Sequence, residues 1–168
     1  QQPLLTFSDS SWSDDVDHGR STGGFLIFYQ GGVIDHSSNL PEPVALSSAE
    51  AEYNEACLAC MATSHLRMLV EEFDQQKIRN VPLLLDNRSA IDMGQSYKDT
   101  KHTRHILRRY HYVREGEAQG LHKLLWVPTE KQLADITTKP LGRLAFKVLL
   151  GYITVSLTEK EKSSVQEG

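Results

Sequence analysis

Leu46-Ser47-Ser48-Ala49-Glu50-Ala51-Glu52-Tyr53 is the stretch that most restricts what this chain can become, because it opens a long apolar helix with two acids. Pro41 and Pro43 break the chain just before it, and the apolar periodicity then predicts helix from Ser48 to about Phe73. Ser47, with Glu50 three residues on, is a capping-box pattern: Ser47 becomes the N-cap and Glu50 reaches back to it. Glu52 has no such task. At about 100° per residue the two side chains point about 200° apart, so one site cannot use both. The face of Glu52 continues through Ala56 and Ala59, small residues that admit a close neighbour. A carboxylate aimed into close packing is costly alone, and acidic company around a divalent ion removes the cost. Leu58, Ala62, Leu66, Leu69, Val70 and Phe73 form one stripe; Tyr53, Cys57, Cys60, Met61, Ser64 and Met68 form a second. Two adjacent stripes predict a broadly buried helix.

The remaining elements follow from pattern. Leu4 to Asp9 alternates as a strand with Leu5, Phe7 and Asp9 on one face, and Ser10 to Gly24 reads as a polar connection. Phe25 to Tyr29 and Val33 to Ser37 form a hairpin around Gly31-Gly32. Val81 to Leu85 is all apolar, the pattern of a parallel strand buried on both faces, and ends at Asp86. A short helix over Asn87 to Met93 and a basic one over His102 to Glu117 follow, the second closed by Gly120. Leu121 to Val127 is the last strand. Thr129 with Gln132 repeats the capping-box pattern and predicts a helix that carries Asp135 and stops near Pro140; Leu141 to Tyr152 is an amphipathic helix. The order β-β-β-α-β-α-α-β-α predicts an α/β fold with a five-stranded mixed sheet flanked by helices. One domain over 4–153 is expected, with 154–168, rich in Lys, Glu and Ser, a disordered tail. Gln1-Gln2-Pro3 lacks a starting Met, as a piece of a longer polypeptide would.

Composition narrows the function. A net charge of −4 argues against a general nucleic-acid coat. Lys98, Lys101, Arg104, Arg108, Arg109 and Arg114 nevertheless cluster with His102, His105 and His111, the footprint of a phosphate-binding surface or of a solvated helix face. No apolar run approaches the ~20 residues of a membrane span. Cys57 and Cys60 lie i, i+3 inside the apolar stripe with no second pair, so they read as core residues and fit a reducing, intracellular setting. Trp12 and Trp126 flank strands and read as core, His105 and His111 as structural histidines, and Asp14, Asp15 and Asp17 as solvated loop acids.

Asp9, Glu52, Asp86 and Asp135 each sit beside apolar residues. Carboxylates converging at the carboxyl ends of strands, where strand order reverses, would repel one another unless divalent ions held them. Oxygen donors of this kind suit Mg²⁺ or Mn²⁺, and two such ions serve in-line phosphoryl displacement.

Six ordered motifs carry a resemblance: Thr6-Phe7-Ser8-Asp9-Ser10-Ser11-Trp12, Arg20-Ser21-Thr22-Gly23-Gly24, Ala45 to Tyr53, Asp86 to Ile91, Arg104-His105-Ile106 with Arg109 to Glu115, and Val127 to Pro140. From about Thr6 to Tyr152 the chain resembles the ribonuclease H domain of the Pol polyprotein of copia-type LTR retrotransposons. The resemblance implies a ribonuclease H-like fold and a metal-dependent endonuclease that cleaves the RNA strand of RNA–DNA hybrids during reverse transcription, by a two-metal-ion mechanism. It implies Asp9, Glu52, Asp86 and Asp135 as catalytic and metal-binding residues for two Mg²⁺ or Mn²⁺ ions. It also implies substrate contacts from Ser48, Asn87, Arg88, Arg104 and Arg109. The polymerase domain of the same polyprotein is an expected partner; a membrane and a small-molecule cofactor are not. A cytoplasmic location in retrotransposon particles is expected.

The chain departs from the family pattern at Ser11, where Asp is usual, at Ala49, usually Thr, and at Arg88, usually Gln. Arg88 could hold a phosphate or crowd the site by pairing with Asp86. No histidine lies between Val127 and Asp135, where many ribonucleases H carry one. The alternative functions are a catalytically silent module on the same fold and another metal-dependent nuclease or strand-transfer enzyme. Retention of all four acids favours activity.

Overall fold

The computed structural model of the chain describes residues 3–11, 21–40, 45–95 and 107–154. Five strands form one mixed sheet, as the element pattern predicts, and their order across it is β3-β2-β1-β4-β5. β1 (Leu4–Ser11), β2 (Thr22–Tyr29) and β3 (Gly32–Asn39) pair antiparallel, while β4 (Val81–Leu85) and β5 (His122–Trp126) extend the other side in parallel. The hairpin turn falls on Gln30 and Gly31, whose φ angles of 49° and 89° supply the left-handed pair that a two-residue hairpin requires. It lies one residue earlier than expected, because Gly32 already pairs with Tyr29.

Gly23 and Gly24 belong to β2, not to the polar connection that the sequence suggested. A Cβ on Gly23 would stand 2.1 Å from Glu55 Oε2, and one on Gly24 would stand 2.1 Å from Thr137 Oγ1. Successive strand residues face opposite sides of a sheet, so this pair lets one helix close in on each face. They pair with Ser10 and Asp9, which puts both close approaches beside the site.

α1 (Ser48–Asp74) covers one face. Ser47 Oγ accepts from the Glu50 N–H at 3.1 Å, and Glu50 Oε2 accepts from the Leu46 N–H at 3.0 Å, so the acid reaches one residue beyond the cap it was expected to meet. α2 (Arg88–Gln95) and α3 (Leu107–Ala118) pack beside it. Tyr53 and Tyr110 stack at 4.3 Å, and a Cβ on Gly94 would meet Leu124 and the Tyr53 ring. Cys57 and Cys60 are free thiols buried in this core, as the helical spacing predicts. Gly120 follows α3 at φ 66°, the expected stop.

Four expectations fail for identifiable reasons. α1 is not buried along its whole length: Met61, Met68, Leu69 and Phe73 are exposed. From Met61 on, the exposed positions recur every three to four residues, so one face of the helix looks to solvent while Ala62, Thr63, Leu66 and Val70 keep the other on the core. Thr129 is not an N-cap; it opens a single 3₁₀ turn, and α4 (Asp135–Thr138) begins separately after Ala134. Trp126 is 46% exposed because β5 is an edge strand. β4 is less enclosed than its sequence implies, with Pro82 and Leu84 half-buried. α5 (Arg143–Ile153) lies over the opposite sheet face, where Phe7, Leu26, Phe28, Val127 and Ala134 make a smaller core; of its own residues only Leu149 is buried.

Candidate metal centre

β1 and β4 pair in register at Thr6–Leu83 and Phe7–Leu84, and continuing that register sets Asp9 opposite Asp86 just past the end of β4. There β1 has an antiparallel neighbour on one side and a parallel one on the other, the kind of position where open α/β sheets form sites. Asp135, first residue of α4, comes down onto the same edge. One carboxylate oxygen from each of Asp9, Asp86 and Asp135 lies within 4.8 Å of the others. Asp9 is 1% exposed, Asp135 is buried and Asp86 is half-buried.

Glu52 approaches from α1. Its Oε1 accepts from the Ser10 N–H at 3.3 Å, while Oε2 is buried and has no hydrogen-bond partner among the described residues. Burial, and then repulsion from Asp9 and Asp86, push its carboxyl pKa up to about 10. Glu50 instead is occupied at the helix cap. Asp135 is pushed up to about 6, first by burial and then by Asp9, against the pull of a hydrogen bond from Lys139.

Several residues that sequence reasoning passed over build this edge. Lys139 Nζ lies 2.6 Å from Asp135 Oδ1 and 3.3 Å from Asp9 Oδ2. Burial lowers its affinity for a proton, but the hydrogen bond to Asp135 and the fields of Asp9, Asp135 and Asp86 outweigh that and hold it cationic. Thr138 Oγ1 donates to Asp9. Thr129 Oγ1 donates to Asp86 Oδ2 at 3.0 Å, and fully buried Gln132 ties its loop to the Ser8 carbonyl at 2.9 Å. The two residues that look like a capping box therefore position the site. The i, i+4 spacing of Asp135 and Lys139 was the available signal for the lysine.

The expected substrate contacts are dispersed. Ser48 is exposed at the start of α1. Asn87 caps α2, its Oδ1 accepting from the Ala90 N–H at 3.2 Å. Arg88 does not pair with Asp86 among the described contacts; its guanidinium lies 4.3 Å over the Trp126 ring, whose Nε1 donates to the Asp86 carbonyl at 3.2 Å. Arg109 is half-buried, with its charge acting on Glu55 and Cys57. In the basic cluster Arg108 and His111 are exposed, and Arg114 lies over Tyr110. Lys98, Lys101, Arg104, His102, His105, Trp12 and the loop acids Asp14, Asp15 and Asp17 lie outside the described residues.

The geometry fits a divalent ion. Carboxylate oxygens of Asp9, Asp86 and Asp135 within 4.8 Å of one another are close enough together to share a divalent ion. The donors are all hard oxygens, and the buried Glu52 oxygen without a hydrogen-bond partner among the described residues is one that a cation would satisfy.

Over 147 residues the chain is 32% identical to the retrovirus-related Pol polyprotein from transposon TNT 1-94 of Nicotiana tabacum. Its homologues are the Pol polyproteins of copia-type transposons. The match takes in 87% of this chain but 11% of the tobacco polyprotein, so the chain corresponds to a small part of such a protein. No family model matches it. Solved structures agree on a ribonuclease H fold. The N-terminal ribonuclease H domain of a Mycobacterium tuberculosis protein, 14% identical, superposes with a TM-score of 0.59 over 92% of this chain and all of its own. LC11-RNase H1, solved in complex with an RNA/DNA hybrid, is 15% identical with a TM-score of 0.58 over 80% of this chain and 93% of its own. Among the described residues of this Pol segment no helix is long and apolar enough to cross a membrane.

Proposed function

We propose that this chain is a metal-dependent endonuclease that hydrolyses the RNA strand of RNA–DNA hybrids during reverse transcription of a copia-type element. The observation that carries the reading is the meeting of Asp9, Asp86 and Asp135, with Glu52 beside them, on one edge of a ribonuclease H fold. The hybrid as substrate is supported by LC11-RNase H1, whose structure contains one. The polymerase region of the same polyprotein is its natural partner, and the element's cytoplasmic particles its setting.

Two Mg²⁺ or Mn²⁺ ions, held by Asp9, Glu52, Asp86 and Asp135, would supply the Lewis acidity that activates water and stabilises the leaving oxygen. The chain's own residues do the rest. Asp9 is the acid whose charge acts on both Glu52 and Asp135. Thr129 and Thr138 fix the carboxylates of Asp86 and Asp9 by donating to them. Arg88, exposed over Trp126 at the rim, offers a cation to a backbone phosphate together with a flat surface for a sugar or base. Reading a hybrid demands groove shape and 2′-hydroxyls rather than base sequence.

The test is cleavage of an end-labelled RNA–DNA hybrid with Mg²⁺, with Mn²⁺ and with EDTA, using the wild type and Asp86→Asn. Metal-dependent cleavage of the RNA strand, reduced more than about 100-fold in the variant, is expected. Salt-sensitive hybrid binding without cleavage in any metal would point instead to a silent binding module.

A further inference from the structure

Lys139 is bound into the carboxylate cluster itself. Its ammonium touches both Asp9 and Asp135, two of the three acids that converge, and Asp9 is almost fully buried. The main chain at Lys139 is fixed, since its N–H donates to the Asp135 carbonyl at 3.0 Å at the end of α4. The side chain is not: it is 32% exposed, and a four-carbon stem gives the ammonium a way out to solvent.

We propose that Lys139 is a tethered competitor for the metal centre: its ammonium takes the place of a cation between Asp9 and Asp135, and an ion held by that pair must displace it. This rests on the metal reading above. A divalent ion bonded to both carboxylates would stand within a few ångströms of the ammonium, where like charges repel strongly in a partly buried site. The same oxygens cannot serve both. Metal occupancy in this chain is therefore gated from within, and the displaced ammonium is left at the rim where a substrate phosphate can receive it. A lysine that merely orients Asp135 would make the opposite prediction, because removing it would loosen a ligand and weaken the ion.

The sign of the change decides between them. Mn²⁺ binding is measured by calorimetry on chelator-stripped wild type, Lys139→Gln and Lys139→Arg, with thermal unfolding of each confirming the fold. The expected result is a dissociation constant about tenfold lower for Lys139→Gln. Lys139→Arg, which keeps the charge, should stay near wild type. The Mn²⁺-induced rise in Tm should be correspondingly larger in Lys139→Gln. Unchanged or weaker binding by Lys139→Gln overturns the proposal while leaving the metal centre standing, and so does Lys139→Arg binding as tightly as Lys139→Gln. Absence of Mn²⁺ binding in all three proteins overturns the metal reading and the proposal together. Binding by Lys139→Gln alone supports both.

Discussion

The two halves of α1 reverse the usual rule of burial. Its first half hides Glu50, Glu52 and Glu55, while its second half exposes Met68, Leu69 and Phe73. One helix thus buries acids at one end and leaves apolar side chains wet at the other. The first half is dictated by what it faces. Gly23 opens room for Glu55, Ser10 offers Glu52 an N–H, and Leu46 offers one to Glu50. The second half keeps only one face on the core, through Ala62, Leu66, Val70 and the Thr63–Thr6 hydrogen bond, and at its end buried Glu71 accepts from the Ile78 N–H at 2.9 Å and pairs with Arg67 and Lys77. Burial here follows which face of the helix meets the core and what partners wait there, not the hydrophobicity of each side chain.

The strongest way to break the comparison is to remove the most costly acid. Glu52→Gln should lower hybrid cleavage by more than about 100-fold, since it takes away a proposed ligand. In EDTA at neutral pH the same variant should be more stable than wild type, by about 1 kcal/mol or 2–4 °C in Tm, because a neutral amide replaces a buried carboxyl crowded by Asp9 and Asp86. Lost activity together with a Tm below wild type would mean that Glu52 is structural.

Next in size is packing at the helix–sheet contact. Ala59 is fully buried in the core beneath α1, so Ala59→Leu has nowhere to put its extra carbons. A loss of about 1–3 kcal/mol in chemical denaturation is expected. A neutral result would show the first half to be as loosely seated as the second.

The acids also set a pH dependence. Burial raises Glu52 to about 10 and Glu55 to about 7, both from an ordinary 4.5. Between these limits the folded chain binds more protons than the unfolded one, so stability is fullest below about pH 4.5 as far as these two groups go. It falls as pH rises, through about 7 for Glu55 and on toward 10 for Glu52. Thermal melts in EDTA from pH 5 to 9 should show Tm falling for wild type and falling less for Glu52→Gln. Saturating Mn²⁺ should flatten the wild-type slope, since a bound cation stabilises the carboxylate.

These contrasts also mark how far the sequence could be read. The mixed five-stranded sheet and the α1 cap at Ser47 were legible because each depends on local pattern or connectivity, and the meeting of Asp9, Asp86 and Asp135 followed from the family resemblance. Trp126, Thr129 and Lys139 were not. A tryptophan ending an apolar strand looks like core until the strand proves to be an edge, and Thr129 with Gln132 imitates a cap while bonding to Asp86 and Ser8 across the fold. Lys139 has no meaning until Asp9, 130 residues away, is beside it. Partners chosen by tertiary contact leave little trace in local spacing.

The smallest expected effect is the sharpest test of the second half. By periodicity Phe73 continues the stripe of Leu58, Leu66 and Leu69, and a buried phenylalanine truncated to a small side chain costs about 3–5 kcal/mol. In the structure Phe73 is 92% exposed. Phe73→Ser should therefore change stability by no more than about 0.5 kcal/mol, within the usual range for surface positions. Any small change should come from helix propensity, where Ser and Phe rank alike. A Tm drop of several degrees would mean that the stripe is covered after all, and the contrast between the two halves of α1 would collapse. An unchanged Tm would leave Phe73 as an apolar side chain that this fold carries without using it for its own stability.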